Sequence, residues 1–427
     1  MRSFRSVFFF AWFFATASAF AETSKITISC GSNGLEFEIC KASVNEWSQK
    51  TGNPVEIITT PNDSNERLSL YQQILGAKSS DIDVLQIDVV WTGILADHLL
   101  DLTPFISKEI LKEHFPATIQ NNTIKDHLVA MPWFIDAGVM YYRKDLLDKY
   151  KQTVPVTWAD LASVSRKIQA AEHAATNSAG NKELWGYVFE GRAYEGLTCN
   201  ALEWIASFDG GAVIDDKGHV SVNNPNAAKA LSLISSFIGD VAPQGALNYS
   251  EEEARGVFQS GNAVFMRNWP YAWALLNAPD SKVKDKVGIA VLPAGAVGEK
   301  SAATLGGWSL AVSKYTKNQS TAADLVKFLT SRTVQLQRLL KGAFNPTIAS
   351  MYEDKKILAQ VPQLKLFKKA FSSAVARPSK LTGFKYNRVS SEFWNSVHGI
   401  LETKESPERP LVQLESTLNR ISDNGKW

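Results

Sequence analysis

The fold is decided between Lys25 and Trp91. Three short apolar stretches, Ile26-Thr27-Ile28, Val55-Glu56-Ile57-Ile58-Thr59 and Asp83-Val84-Leu85-Gln86-Ile87-Asp88-Val89, alternate there with two longer ones, Leu35 to Lys50 and Asn65 to Ala77. Short β-branched runs read as strands, and longer runs with apolar positions three and four apart read as helices. The order strand, helix, strand, helix, strand implies an α/β fold with a mostly parallel sheet covered by helices. Such sheets take their ligands beyond the carboxyl ends of the strands. That rule places a candidate site at Gly31 to Leu35 and at Asp88 to Trp91.

Upstream of this unit, Arg2 and Arg5 precede an unbroken apolar run from Val7 to Ala15, and Ala19-Phe20-Ala21 has a small-x-small cleavage pattern. Residues 1–21 therefore read as a signal peptide cleaved before Glu22, too short to span a bilayer, and the rest as a soluble exported protein. Lys and Arg number 45 against 43 Asp and Glu. Arg2 and Arg5 account for the excess, so the chain from Glu22 onward is charge-neutral and lacks a basic footprint for nucleic acid or anionic lipid. An oxidising compartment permits one disulfide among three cysteines; Cys30 and Cys40, closing a short loop, are the candidate pair, the alternative being three small buried hydrophobes. Cys199 is expected to stay reduced.

Downstream the chain is first richer in helix. Thr157 opens one, Asn224-Pro225 sets a cap and a first-turn proline, and Ser250 with Glu253 forms a capping box. Short strands are expected at Ala263 to Met266, Lys286 to Val291 and Trp308 to Val312, and helices from Thr321 to the end. No two of the six His have metal-ligand spacing, and neither a P-loop nor a dinucleotide fingerprint occurs, so neither metal nor cofactor is expected.

The segments that carry chemistry combine aromatic rings with single charges: Ile87-Asp88-Val89-Val90-Trp91, Trp133-Phe134-Ile135-Asp136-Ala137-Gly138, Arg267-Asn268-Trp269-Pro270-Tyr271-Ala272-Trp273 and Leu305-Gly306-Gly307-Trp308. This mixture suits a carbohydrate, whose ring faces are apolar and whose edge carries hydroxyls. Aromatic rings cover the faces, carboxylates accept from hydroxyls, and arginine donates to them. Taken singly, each segment is more often part of a core or a turn than of a site. Asp88 and Asp136 stand out because each interrupts an apolar run, where an unpaired acid is costly to bury.

With these blocks in hand, the chain resembles the solute-binding receptors of bacterial ABC sugar importers, nearest the trehalose/maltose-binding branch. The blocks include Glu66-Arg67-Leu68, Tyr141 to Leu147, Tyr194-Glu195-Gly196-Leu197, Lys300 to Trp308 and Ala376-Arg377-Pro378, and span about residues 25 to 400. The resemblance implies a two-lobed periplasmic-binding-protein fold, maltose-binding-protein-like, with mixed sheets flanked by helices and a hinge. The first lobe would be 22–135 plus about 306–345, the second 136–305 plus about 346–427. It implies a non-enzymatic, monomeric periplasmic protein that binds a disaccharide, trehalose or maltose, between the lobes and delivers it to an inner-membrane permease. By that match Asp88, Asp136 and Glu36 would accept from sugar hydroxyls, with Glu38 the alternative to Glu36. Arg67 and Arg377 would donate, Trp269, Tyr271 and Trp308 would cover ring faces, and Gly306 and Gly307 would offer backbone. Phe134 stands where related proteins can carry Tyr. The alternatives are a receptor for another oligosaccharide or polyol such as sucrose, or a secreted glycoside hydrolase, which would set two carboxyls about 5 to 9.5 Å apart.

Overall fold

A computed structural model of the chain describes residues 25–31, 34–175 and 183–427, so the expected signal peptide and its cleavage point lie outside the described residues. The opening alternation forms as the sequence predicts. Strand β1 is Ile26–Ser29, helix α1 Gly34–Thr51, β2 Val55–Ile57, α2 Ser64–Gly76 and β3 Val84–Asp88. β1 lies between β2 and β3 and parallel to both. Ile28 and Val84 pack with Trp47 of α1, while Leu85 and Ile87 pack with Leu68 and Tyr71 of α2. Helices thus cover both faces, and β3 is buried from end to end. Asp63 caps α2, its carboxylate accepting from the N–H groups of Asn65 and Glu66.

The parallel core is extended by antiparallel strands that the sequence only partly announces. The apolar run around Asp136 forms two successive strands, β4 (Met131–Ala137) and β5 (Val139–Arg143). Almost all of it is buried, which removes the alternation that marks a half-exposed strand. After β6 (Trp185–Val188), β7 (Ala263–Asn268) and β8 (Val287–Ala290) comes β9, Ala303–Val312, longer than the predicted Trp308 to Val312. Gly306 and Gly307, which suggest a turn, lie inside it; glycine within a strand marks a close approach by another group. A two-residue strand, β10 (Ala374–Val375), also interrupts the helices expected at the C-terminal end.

Two sheets result. In the first, β9 pairs antiparallel with β3 and with β4, and parallel with β10. The second has the order β8-β5-β7-β6. The chain passes from one sheet to the other at Gly138, between Ala137 of β4 and Val139 of β5. The predicted caps form at Thr157, Asn224 and Ser250. The second sheet has its own large apolar cluster, shared with helices α3 (Glu195–Ser207), α4 (Pro225–Phe237) and α7 (Tyr386–Thr403). Between α4 and α7 lie α5 (Glu251–Gln259) and α6 (Arg332–Gly342). No described helix is long and apolar enough to cross a membrane.

Candidate functional site

Strand register builds the site. Trp308 of β9 stands opposite Asp88 of β3 on one side and Phe134 of β4 on the other, and Gly306 stands opposite Asp136. Because directly opposed residues share a face, Asp88, Trp308 and Phe134 form one row and Gly306 and Asp136 the next. This is the carboxyl end of β3, where topology placed the site. A cavity of about 220 Å³ opens over the rows, and all ten residues expected there line it: Glu36, Arg67, Asp88, Asp136, Trp269, Tyr271, Gly306, Gly307, Trp308 and Arg377. Glu36 lies in the first turn of α1 and lines the cavity, whereas Glu38 is exposed outside it.

The aromatic rings are held from behind. The Arg67 guanidinium sits 4.8 Å from the Trp308 ring centre, with its Nε donating to the Pro61 carbonyl at 2.9 Å, and Trp91 meets Trp308 edge-on. Arg267 lies 4.0 Å from the Trp269 ring. Gly306 makes room for Trp269, since a Cβ there would stand 2.8 Å from Cζ3 of that ring. Gly307, at φ +128°, would drive a Cβ to 2.5 Å from the Phe134 carbonyl oxygen. The Tyr271 hydroxyl donates to Glu252 Oε1 at 2.6 Å.

The charges fall into two groups. Arg377 donates from Nη2 to Asp88 Oδ1 at 2.9 Å and from Nη1 to Glu195 Oε1 at 2.8 Å, so two of its donors are committed to protein carboxylates. Glu195 accepts further from Ser390 and Tyr386. Glu252 pairs with Arg255, and Glu251 accepts from the Tyr194 hydroxyl. Asp136 is compensated least. Asp136 is buried, and its Oδ1 has no hydrogen-bond partner among the described residues. Burial, reinforced by the Glu36 charge, pushes its carboxyl up to about 7, against the pull of Arg338 and Arg267. Arg338 of α6 is itself buried, 3.6 Å from the Trp133 ring and 4.4 Å from that of Phe344, and burial lowers it to about 10.

The sequence did not single out Glu195, Glu251, Glu252, Arg255, Arg338 or Phe344. Glu195 sits in a block that carried the resemblance, but Glu251 and Glu252 look like ordinary first-turn acids behind the Ser250 cap. Nothing local distinguishes Arg338 on an amphipathic helix.

The bacterial extracellular solute-binding protein family matches residues 31–336. The chain belongs to that family. It is 49% identical over 426 residues, the full length of both chains, to a probable ABC transporter-binding protein of Deinococcus radiodurans. It is also similar to T. maritima MalE3 solved with maltose bound, with a TM-score of 0.86 and 38% identity, covering 93% of this chain and 100% of that one. A mannitol-binding protein of Pseudomonas aeruginosa is 25% identical over 244 residues, 56% of this solute-binding chain and 51% of the relative. The chain shares the two-lobed fold of these solute-binding proteins, with mixed sheets flanked by helices.

Proposed function

We propose that this solute-binding protein is the periplasmic receptor of an ABC importer for a disaccharide, maltose or trehalose. The observation that carries the reading is the convergence of Asp88, Asp136, Glu36, Trp308, Trp269 and Tyr271 on one cavity between the lobes. Carboxylates without full protein partners suit hydroxyl donors, and rings backed by arginine suit pyranose faces. The similarity to a maltose-bound receptor supports a disaccharide. The likeness to a mannitol-binding protein keeps a polyol as the second reading. In this reading the lobes divide at Gly138 and near the start of β9, residues 1–21 direct export, and the chain acts as a monomer that hands sugar to a permease without cleaving it.

The test is calorimetry with maltose, trehalose, sucrose and mannitol, followed by assay of glucose over hours. Stoichiometric binding of maltose or trehalose without glucose release is expected. At a hundred times the dissociation constant, the ligand should add about 2.7 kcal/mol of stability. Preference for mannitol would move the reading to a polyol receptor, and steady glucose release would replace it with a hydrolase. Intact-mass measurement of exported protein should find Glu22 at the N-terminus.

A further inference from the structure

Glu36 reaches the cavity from the first turn of a helix, and three features converge on its base. Cys30, directly after β1, is disulfide-bonded to Cys40 of α1. Glu36 and Cys40 are four residues apart and share one face of the helix, so the bond anchors the face that presents the carboxylate. Gly31, at φ +64°, packs against the same turn so closely that a Cβ would lie 2.8 Å from the Phe37 nitrogen. Gln86, buried in the middle of β3, joins the two sides. Its Oε1 accepts from the Gly31 N–H at 2.6 Å, and its Nε2 donates to Glu36 Oε1 at 3.0 Å. The amide orientation is forced, because a backbone N–H can only donate; the oxygen must face Gly31, which leaves the NH2 for Glu36. Arg338 Nη2, at 3.8 Å, is beyond hydrogen-bond reach of the same oxygen.

We propose that Gln86 is a positioning residue for ligand binding, which acts with the Cys30–Cys40 disulfide to hold the Glu36 carboxylate in the cavity before sugar arrives. The disulfide fixes the start of α1 against the end of β1, and the Gln86 amide selects one orientation of a side chain with several. A glutamate held in this way loses less freedom when a hydroxyl docks, which is how preorganisation raises affinity. This rests on the reading of Glu36 as a sugar ligand.

The experiment is a double-mutant cycle read by maltose calorimetry, with trehalose in its place if the unaltered protein prefers it. Gln86→Glu keeps an acceptor for Gly31 but replaces the donor to Glu36 with a like charge. It should weaken binding on the order of ten- to a hundredfold, the range for a lost hydrogen bond to a charged group. In a Glu36→Gln background the same change should cost no further affinity. Cys30→Ala with Cys40→Ala should follow the same pattern; if that pair does not fold, the Gln86 cycle decides alone. Equal losses in both backgrounds would reduce Gln86 to a structural residue and overturn the proposal, as would unchanged affinity in Gln86→Glu. Failure of the underlying reading looks different: the unaltered protein binds neither sugar, or Glu36→Gln by itself leaves affinity intact.

Discussion

At the scale of single residues, Asp136 and Asp88 separate stability from binding. Asp136 lacks a direct partner for Oδ1, and its carboxyl is raised to about 7 in the folded protein from an ordinary 3.8. Between these values the folded state holds a proton that the unfolded chain has lost. Stability from this group is therefore full below about pH 4, declines as pH rises, and is gone above about 7. Asp136→Asn should flatten that decline and make the ligand-free protein more stable at pH 8, read by thermal unfolding across pH 5 to 8. The same variant should bind sugar more weakly, because an ionised carboxylate accepts a hydroxyl's hydrogen bond more strongly than an amide oxygen does. In the unaltered protein, affinity should rise through pH 7, an increase absent from Asp136→Asn; a pH-independent affinity would remove Asp136 from the contacts. Asp88 should behave differently, since it is tied to Arg377. Asp88→Asn is expected to lose both affinity and stability, each by about 1.5 to 3 kcal/mol, as for a hydrogen bond to a charged group. Both aspartates were readable from sequence as acids breaking apolar runs. Which of them is paired was not, because Arg377 lies 289 positions from Asp88 along the chain.

At the scale of elements, β9 and β7 set the rings. In sequence the two glycines of β9 resemble a turn, and their reason appears only when β4 and Trp269 are in place. Gly306→Ala should push the Trp269 ring and cost about 1 to 3 kcal/mol as overpacking. Its maltose affinity should fall as well, measured by calorimetry on protein that still unfolds cooperatively. β7 carries Arg267, fully buried, with Nε and Nη2 donating to Glu203 at 2.8 and 2.5 Å and Nη1 to Glu190 at 2.7 Å. Glu203 Oε1 also accepts from the Thr304 N–H at 3.0 Å, so the cluster joins β7, α3 and the start of β9 beside the passage between lobes. Burial pushes Glu190 up to about 8. Arg267→Leu would strand two buried acids and should cost about 3 to 5 kcal/mol in denaturant unfolding. The opening βαβαβ unit was readable almost to the residue because its periodicities are local. β4 and β5 were hidden because strands buried on both faces lose the alternation that identifies them.

At the scale of the whole molecule, the lobes meet through polar groups around the cavity. Arg192, in the loop before α3, pairs with the Asp63 carboxylate that caps α2. The Glu195 N–H donates to Asn65 Oδ1 at 3.1 Å, and Arg377 joins Asp88 of β3 to Glu195 of α3. In the proposed two-lobe receptor these contacts cross the cleft and would part on opening, so they would bias the same equilibrium that sugar biases. Their weights differ. The Arg192 side chain is 41% exposed, and a pair of that kind contributes at most about 1 kcal/mol. Arg377 is buried, and without it Asp88 keeps, among the described residues, the Val90 N–H at 3.1 Å as its donor. Breaking a buried pair costs about 3 to 5 kcal/mol. Opening lets water reach Asp88, so the closed form carries that cost. Arg377→Met should therefore leave the ligand-free protein open, with a larger radius of gyration by small-angle scattering, and weaken maltose binding about a hundredfold or more. Arg192→Ala should weaken it no more than about fivefold. Comparable affinities for the two variants would mean that sugar closes the cleft without the Arg377 bridge, and that Asp88 is held by the ligand instead.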